Sequence, residues 1–507
     1  MKDFISICIF LVLSVHIPCL PLFGSEGRET PVIGSNGIYI GRPESRLAGK
    51  AGVQDISSPK SISILQRSAN TSARIPETYD IHVTEPGQLS QWLESVLMRT
   101  DSVAVHGPIG VEDFSTLWEA TFYGGLEVIN LENASVEEGI IPQYAFINID
   151  EQFTDEGFIP TLLRRVILPN GITVIDDFAF AWSVLLEEIN FPAGIQSIGT
   201  ESFSFCQSLH GDIVFGDGLE RIGNGCFSYC IGLRNRVEFP PTLASIGTDA
   251  FYDTPLTGVS FQEGLESIGA RAFEQCYLEE AVLPQSCRYI GDKAFAFNRY
   301  LKRAQLPERL EEIPERLFYA DNALREITLP AELKYVGPYA LSRCAFRELH
   351  FPEGFEILEY NALEGCAELE ELHFPSTFAY AGTQSCVGLS SLRCLYCAAP
   401  VPPFCEEVRG SDFTPFGLYD GAQGTPRDIP VYVPIGTAEA YRSVWGWDYF
   451  TDFIETADFP GTGVGVMSVG TDPTHNTHLY DLYGRRVQKP VKGQIYIRNG
   501  KKILWNK

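Results

Sequence analysis

Basic side chains are in short supply in this 507-residue chain: 38 Lys and Arg stand against 65 Asp and Glu, a formal net charge of -27. Such a surface repels phosphate backbones and anionic lipid, which argues against nucleic acid and charged membranes as partners. It favours basic partners or cations, and it also serves simple solubility. Long apolar runs are missing as well. Beyond the amino-terminus no segment approaches the roughly 18 apolar residues of a membrane helix, so no transmembrane span is expected. The signatures of catalysis are absent in turn: there is no Gly-x-Ser-x-Gly, no His-Glu-x-x-His and no EF-hand loop. Gly461-Thr-Gly463-Val-Gly465 is glycine-rich but joins no strand to a helix, so it is not read as a phosphate cradle. The stretches 77–160 and 399–456 assemble no nucleophile, base and oxyanion donor. No enzymatic activity, cofactor or metal is therefore assigned.

What remains is ordinary globular composition, 45% hydrophobic and 20% charged, in a chain too long for one compact core. Lys2 precedes an apolar run from Phe4 to Val15, short for a membrane span and suited to an export signal. Cleavage is expected after Gly24. Lipidation at Cys19 is the alternative, although His16, Ile17 and Pro18 are poor neighbours for it.

Self-similarity dominates the middle of the chain. An aromatic or Leu followed by Pro recurs at Leu168, Phe191, Phe239, Leu283, Leu306, Leu329, Phe351 and Phe374, with Phe215 and Phe261 in the same slot without the Pro. Successive anchors lie 22 to 24 residues apart. About seven residues after each comes an Ile, often before Gly, as at Ile198-Gly199, Ile222-Gly223, Ile246-Gly247 and Ile268-Gly269. Five residues beyond the Ile sits a Phe or Leu: Phe180, Phe203, Phe227, Phe251, Phe273, Phe295, Phe318, Leu341 and Leu363. Three further on is a small slot, held by Cys206, Cys230, Cys276, Cys344 and Cys366, and by Asn298 and Asp321 elsewhere. No unit buries these positions alone, whereas stacked neighbours share one core. The alternation Leu186-x-x-Ile189-x-Phe191 predicts a short strand in each unit. The Ile-Gly and Ala-Phe segments are expected to return behind it as irregular or short helical structure. The expectation is an α/β repeat solenoid with a parallel sheet of about ten stacked repeats over 161–398.

The combined pattern L-x-x-I-x-F-P-x-x-L-x-x-I-G-x-x-A-F-x-x-C resembles the BspA-like class of leucine-rich repeats across about 168–397. Leu126 to Phe146 is similar to that family's opening region, and Pro430-Val-Tyr-Val-Pro434 with Gly436 to Tyr441, Trp447 and Phe450 to its closing segment. The resemblance implies a bacterial cell-surface or secreted protein that adheres to host proteins or other cells.

Around the array, 25–76 is rich in Gly, Ser and Pro and predicts a flexible linker. Residues 77–160 are expected to cap the first repeat, with a helix over Gln88 to Met98, and 399–456 to cap the last; 457–476 predicts a second linker. In 477–507, Leu479 to Arg486 and Gly493 to Ile503 alternate as strands around Gly turns. This tail resembles the end of a type IX secretion sorting domain, and a short β module docked on the solenoid is the other reading left open.

Thirteen cysteines invite a redox or zinc reading. The five in the repeated slot follow a packing rule, because Cys is a small, readily buried hydrophobe. Cys394-Leu-Tyr-Cys397 falls on a predicted strand, where positions three apart point to opposite faces, so neither a disulfide nor a metal knuckle is expected. Binding must come from the outward strand positions. There, Glu348 with His350 and Glu371 with His373 form a two-by-two grid next to Tyr396. Three readings stay open for it: a solvated polar face left as a by-product of repeat duplication, a divalent transition-metal site, or part of a contact surface for a protein or glycan. A structural or sensor role at the cell surface, without a host ligand, is the alternative to binding.

Overall fold

The computed structural model describes residues 78–154, 157–407, 413–418, 424–460, 495–498 and 501–504. The expected export signal over 1–24, the linker over 25–76 and most of the linker over 457–476 lie outside the described residues. Two units are distinguished. In the smaller, Phe153–Thr154 pairs antiparallel with Gly157–Phe158; this is the insertion that interrupts the repeat pattern between Phe146 and Phe180.

The larger unit is a coil of about 16 turns, each contributing strands to parallel ladders. One ladder begins upstream of the recognisable repeats. Tyr79–His82, Ser102–Ile109, Val128–Asn130, Arg165–Ile167 and Glu188–Ile189 pair in parallel. The same strand position continues through Arg236–Glu238 and Gly258–Ser260, then Glu280–Val282, Arg303–Gln305 and Glu326–Thr328. It ends with Glu348–His350, Glu371–Phe374, Cys394–Cys397, Pro430–Pro434 and Asp452–Thr456. Strand-forming turns therefore extend into both stretches read from sequence as caps. The longest α-helix among the described residues, Val111–Phe122, connects two of the early strands. Asp113 fixes its start by accepting the backbone N–H groups of Gly87, Leu89 and Gly110 at 2.7, 2.9 and 2.9 Å. The helix expected over Gln88 to Met98 is instead a 3-10 turn, Gln88–Trp92, followed by a π turn, Leu93–Leu97.

The Ile-Gly segments depart from expectation. They form a second parallel ladder of two-residue strands, from Val174–Ile175, Ser197–Ile198 and Arg221–Ile222 onward. The Ala-Phe segments do not form helices, because residues four apart are left-handed: Phe178 and Trp182, Glu201 and Phe205, Arg271 and Gln275, all with φ between 51° and 62°. That alternation aims every second N–H at the following turn. Phe178, Phe180 and Trp182 donate to the carbonyls of Thr200, Ser202 and Ser204 at 2.9, 2.8 and 2.7 Å, while Ala179 and Ala181 bond within their own turn. Each left-handed residue costs about 1–2 kcal/mol, and the bond to the next turn offsets it.

The core is a single file of rings. Phe146, Phe180, Phe203, Phe227, Phe251, Phe273, Phe295 and Phe318 are fully buried and stack face to face at 5.0, 5.1, 5.1, 5.3, 5.3, 5.5 and 5.9 Å. The small slot beside it has a second duty besides fitting. Cys206, Cys230, Cys276, Cys344 and Cys366 each direct the thiol at the carbonyl of the ring or Leu one turn earlier, at 3.1 to 3.3 Å. Thr254 and Asn298 donate to the equivalent carbonyls of Phe227 and Phe273. Burial pushes these thiols upward, Cys366 to about 12, so they are inert packing groups.

Asp321 takes the same slot with a carboxyl. It is fully buried; one oxygen accepts the Asn298 N–H at 2.7 Å, and the other has no partner among the described residues. Burial holds it well above the usual carboxylate range, with the Asn298 N–H opposing, so the fold keeps it protonated. The unfolded chain releases that proton near pH 4. Its contribution to stability is thus complete below about pH 4 and is lost as pH rises toward the folded-state value. Asp321→Asn is expected to gain thermal stability over wild type at pH 8 and much less at pH 4. Melting curves at the two pH values check this, and an equal difference at both would show that the group is not buried as a neutral acid.

Candidate functional site

Four adjacent strands at the carboxy-terminal end of the first ladder carry the residues singled out in the sequence. Glu348–His350, Glu371–Phe374, Cys394–Cys397 and Pro430–Pro434 run parallel, with Glu348 opposite Glu371 and with His350, His373, Tyr396 and Tyr432 in line. Leu349, Leu372, Leu395 and Val431, between the outward positions, are buried in the core, which fixes the facing of their neighbours through the two-residue strand period. The grid is therefore real in register.

Its geometry is that of a stack. Ring centroids are 3.9 Å apart for His350 and His373, 4.4 Å for His373 and Tyr396, and 4.4 Å for Tyr396 and Tyr432, with interplanar angles of 15°, 6° and 10°. Each imidazole has a carboxylate on its own strand: Glu348 Oε2 lies 3.9 Å from His350 Nε2 and Glu371 Oε2 lies 3.5 Å from His373 Nε2. Face-to-face stacking keeps the rings parallel instead of converging their nitrogens. Among the described residues no group of three or more His, Cys, Asp or Glu is arranged to hold a metal ion, so the geometry does not support the metal reading of the grid.

Exposure separates the five residues. Glu348 is exposed, and His350, Glu371 and Tyr396 are half-buried. His373 is the exception: its side chain is 1% exposed against 35% for His350. Neither of its ring nitrogens has a hydrogen-bond partner among the described residues. Burial pulls it down to about 4 and His350 alongside acts in the same direction, while Glu348 and the nearby backbone carbonyl of Pro460 oppose. His373 is thus neutral near pH 7, and its contribution to stability, present above about pH 6.5, is lost as the pH falls toward 4.

Tyr432 was missed in the sequence, although Val431-Tyr432-Val433 repeats the in–out–in order of Leu395-Tyr396-Cys397. Also missed was a like pair on the early strands, where His82 and His106 stack at 4.5 Å and His106 Nε2 lies 3.1 Å from Asp80. Cys394 is half-buried and Cys397 buried on the other side of the strand. All eleven described cysteines are free thiols. Tyr441, from the closing helix Ala438–Arg442, donates its hydroxyl to the Ala399 carbonyl at 2.7 Å and packs beside Cys397. The backbone of Ile495–Arg498 and Lys501–Leu504 forms an antiparallel pair.

The family model that matches the chain is a repeat of this kind. Residues 151–277, 220–347 and 313–398 match the BspA type leucine rich repeat region. No curated protein matches the chain. Among solved structures, a leucine-rich repeat protein from Bacteroides ovatus is 18% identical, covering 64% of this chain and 89% of its own, with a TM-score of 0.40. The pneumococcal vaccine antigen PcpA is 19% identical over 70% of this chain and 79% of its own, at a TM-score of 0.40. A leucine rich cell surface protein from Faecalibacterium prausnitzii is 19% identical over 53% and 82%, at 0.31.

Proposed function

We propose that this chain, whose residues 151–398 form a BspA-type leucine-rich-repeat array, is an exported, non-enzymatic binding protein. Its partner is a protein, met on the open face of the first ladder at the carboxy-terminal end. The stacked row His350, His373, Tyr396 and Tyr432, edged by Glu348 and Glu371, is the observation that carries this reading. Fold alone does not assign function, so the chemistry of that face decides. The inner rings, His373 and Tyr396, are covered on both faces and offer edges, which reduces the flat platform on which a sugar stacks. Carboxylates, one exposed and one half-buried, beside edge-on rings suit Lys or Arg side chains of a partner, in keeping with the net charge of -27. The contact set is Glu348, His350, Glu371 and Tyr396, with His373 behind them.

Export rests on Lys2 and the apolar run Phe4 to Val15. A secreted or cell-surface location follows from that run and from the repeat type, and adhesion to host proteins is the specific form the family suggests. No helix among the described residues is long and apolar enough to cross a membrane, so attachment to the surface would use other means, with the 477–507 tail one candidate.

The test measures binding of the purified chain to immobilised extracellular-matrix proteins and to a glycan array, with a panel of hydrolase substrates alongside. Saturable protein binding that weakens with salt, and weakens on the order of tenfold in Glu348→Gln, Glu371→Gln, Tyr396→Ala, supports the proposal; tenfold corresponds to about 1.4 kcal/mol. Binding to glycans alone would replace the partner class. A variant that binds as wild type would move the contact elsewhere, and turnover of any substrate would overturn the non-enzymatic reading.

A further inference from the structure

His373 is covered although its place in the ladder is not. His350, one strand away in the same column, keeps 35% of its side chain exposed, whereas His373 keeps 1%. Stacking against His350 and Tyr396 shields the two faces of the imidazole but not its outer edge, so something lies across that edge. The chain supplies it after the last strand of the ladder, Asp452–Thr456. The Thr456 hydroxyl accepts the Asp458 N–H at 3.0 Å and donates to the Asp458 carbonyl at 3.3 Å, closing a turn directly after that strand. Phe459 is half-buried between exposed Asp458 and exposed Pro460, and the Pro460 carbonyl reaches His373. From Asp452–Thr456 back to Glu371–Phe374 is three strand spacings, about 14 Å at ~4.8 Å each. The segment turns back across that width and brings the Pro460 carbonyl to the His373 ring.

We propose that residues 457–460 act as a strap across the open face of the ladder, so that a partner engages His373 only after the segment lifts. The closure is poorly bonded. Neither nitrogen of His373 has a hydrogen-bond partner of good geometry among the described residues. A buried imidazole with unmet polar groups pays desolvation without return, which keeps the closed arrangement easy to open. An incoming partner that supplies a donor or acceptor to the ring would replace an unsatisfied contact with a satisfied one. The groups facing His373 are Glu371 on its own strand, His350 and Glu348 on one side, Tyr396 on the other and the strap above.

The strap matters to function through the contact face proposed above, but its test reads His373 alone. Full-length protein is treated at pH 7 with diethyl pyrocarbonate, which acylates neutral, accessible imidazoles, and the rate at each histidine is followed by mass spectrometry. In wild type His373 should react slowest, well behind exposed His210. In Phe459→Gly, Pro460→Gly its rate should rise on the order of tenfold, as for release of a local closure. His210 should be unchanged, and the melting temperature should show that the solenoid is intact. Equal His373 rates in wild type and variant, whether both fast or both slow, would remove the strap and leave the proposed contact face standing. Loss of partner binding in Glu348→Gln with unchanged His373 kinetics separates the two in the other direction.

Discussion

Truncation of Phe251 to Ala is expected to cost about 3–5 kcal/mol of stability. The ring is fully buried and stacks at 5.3 Å on Phe227 and at 5.3 Å on Phe273, with Phe239 edge-on at 5.8 Å. Burial accounts for about 1.5–3 kcal/mol of that loss, and each lost aromatic contact adds about 0.5–1.5 kcal/mol. The hole left behind does not collapse, because the turns on either side are held apart by ladders that stay intact. Urea unfolding followed by far-ultraviolet circular dichroism reads the difference. Tyr289→Ala, at a residue 59% exposed, serves as the control and should change stability by no more than about 0.5 kcal/mol. Comparable effects at the two sites would mean that the ring file is not what holds the turns together.

Gly247→Val is expected to be nearly as damaging, for the opposite reason. A Cβ at Gly247 would stand 2.6 Å from the backbone nitrogen of Asn224 and 2.6 Å from the carbonyl carbon of Gly223. Neither is the end of a side chain that can swing away, so the turns must separate. Overpacking of this kind costs about 1–3 kcal/mol, and the ring file and the second ladder are pried apart together. The same closeness holds in the flanking turns, where a Cβ at Gly223 would lie 2.4 Å from Gly199 and one at Gly269 2.4 Å from Thr248. Gly365→Ala is the useful comparison, because the nearest atom there is the Arg343 side chain at 3.4 Å, so any cost comes from its positive φ of 71° and not from collision. Melting temperatures of the two variants should separate clearly, with Gly247→Val the lower. Indistinguishable values would contradict close approach of the turns.

The parts of the fold that were legible are those repeated in one dimension. Phe203, Phe227 and Phe251 sit at equal intervals because each must meet the same side chain one turn on, and that requirement shows in the sequence without coordinates. The cysteine slot was legible as a size rule, but not as a bond, since thiol and carbonyl are some two dozen residues apart. The second ladder was not legible: Ser197–Ile198 and Ser245–Ile246 are too short to display an alternation, and their Gly neighbours read as turns. The earliest strands, Tyr79–His82 and Ser102–Ile109, were hidden for another reason. The helix Val111–Phe122 replaces the Ala-Phe segment there and breaks the period that marks the later turns.

At the ladder, register was legible and exposure was not. Outward placement of His350 and His373 follows from the buried leucines between them, which any alternating strand displays. Tyr432 escaped because its strand lies past the last recognisable repeat, after the irregular stretch that follows Cys397. The contact of His373 with Pro460 reaches more than eighty residues along the chain, and no local pattern announces a contact of that range. The same holds for Asp321, whose slot was recognised as small but whose protonated state depends on the closure of turns above and below.

The central claim is that neighbouring turns hold one another through a single shared core. Double-mutant cycles on the ring file test it most directly. Phe227→Leu with Phe251→Leu, adjacent at 5.3 Å, should show a coupling of about 0.5–1.5 kcal/mol. Phe180→Leu with Phe318→Leu, at distant points of the file, should add to within about 0.5 kcal/mol. Additivity in the adjacent pair, or equal coupling in both, would contradict a core built by stacking each turn on the next.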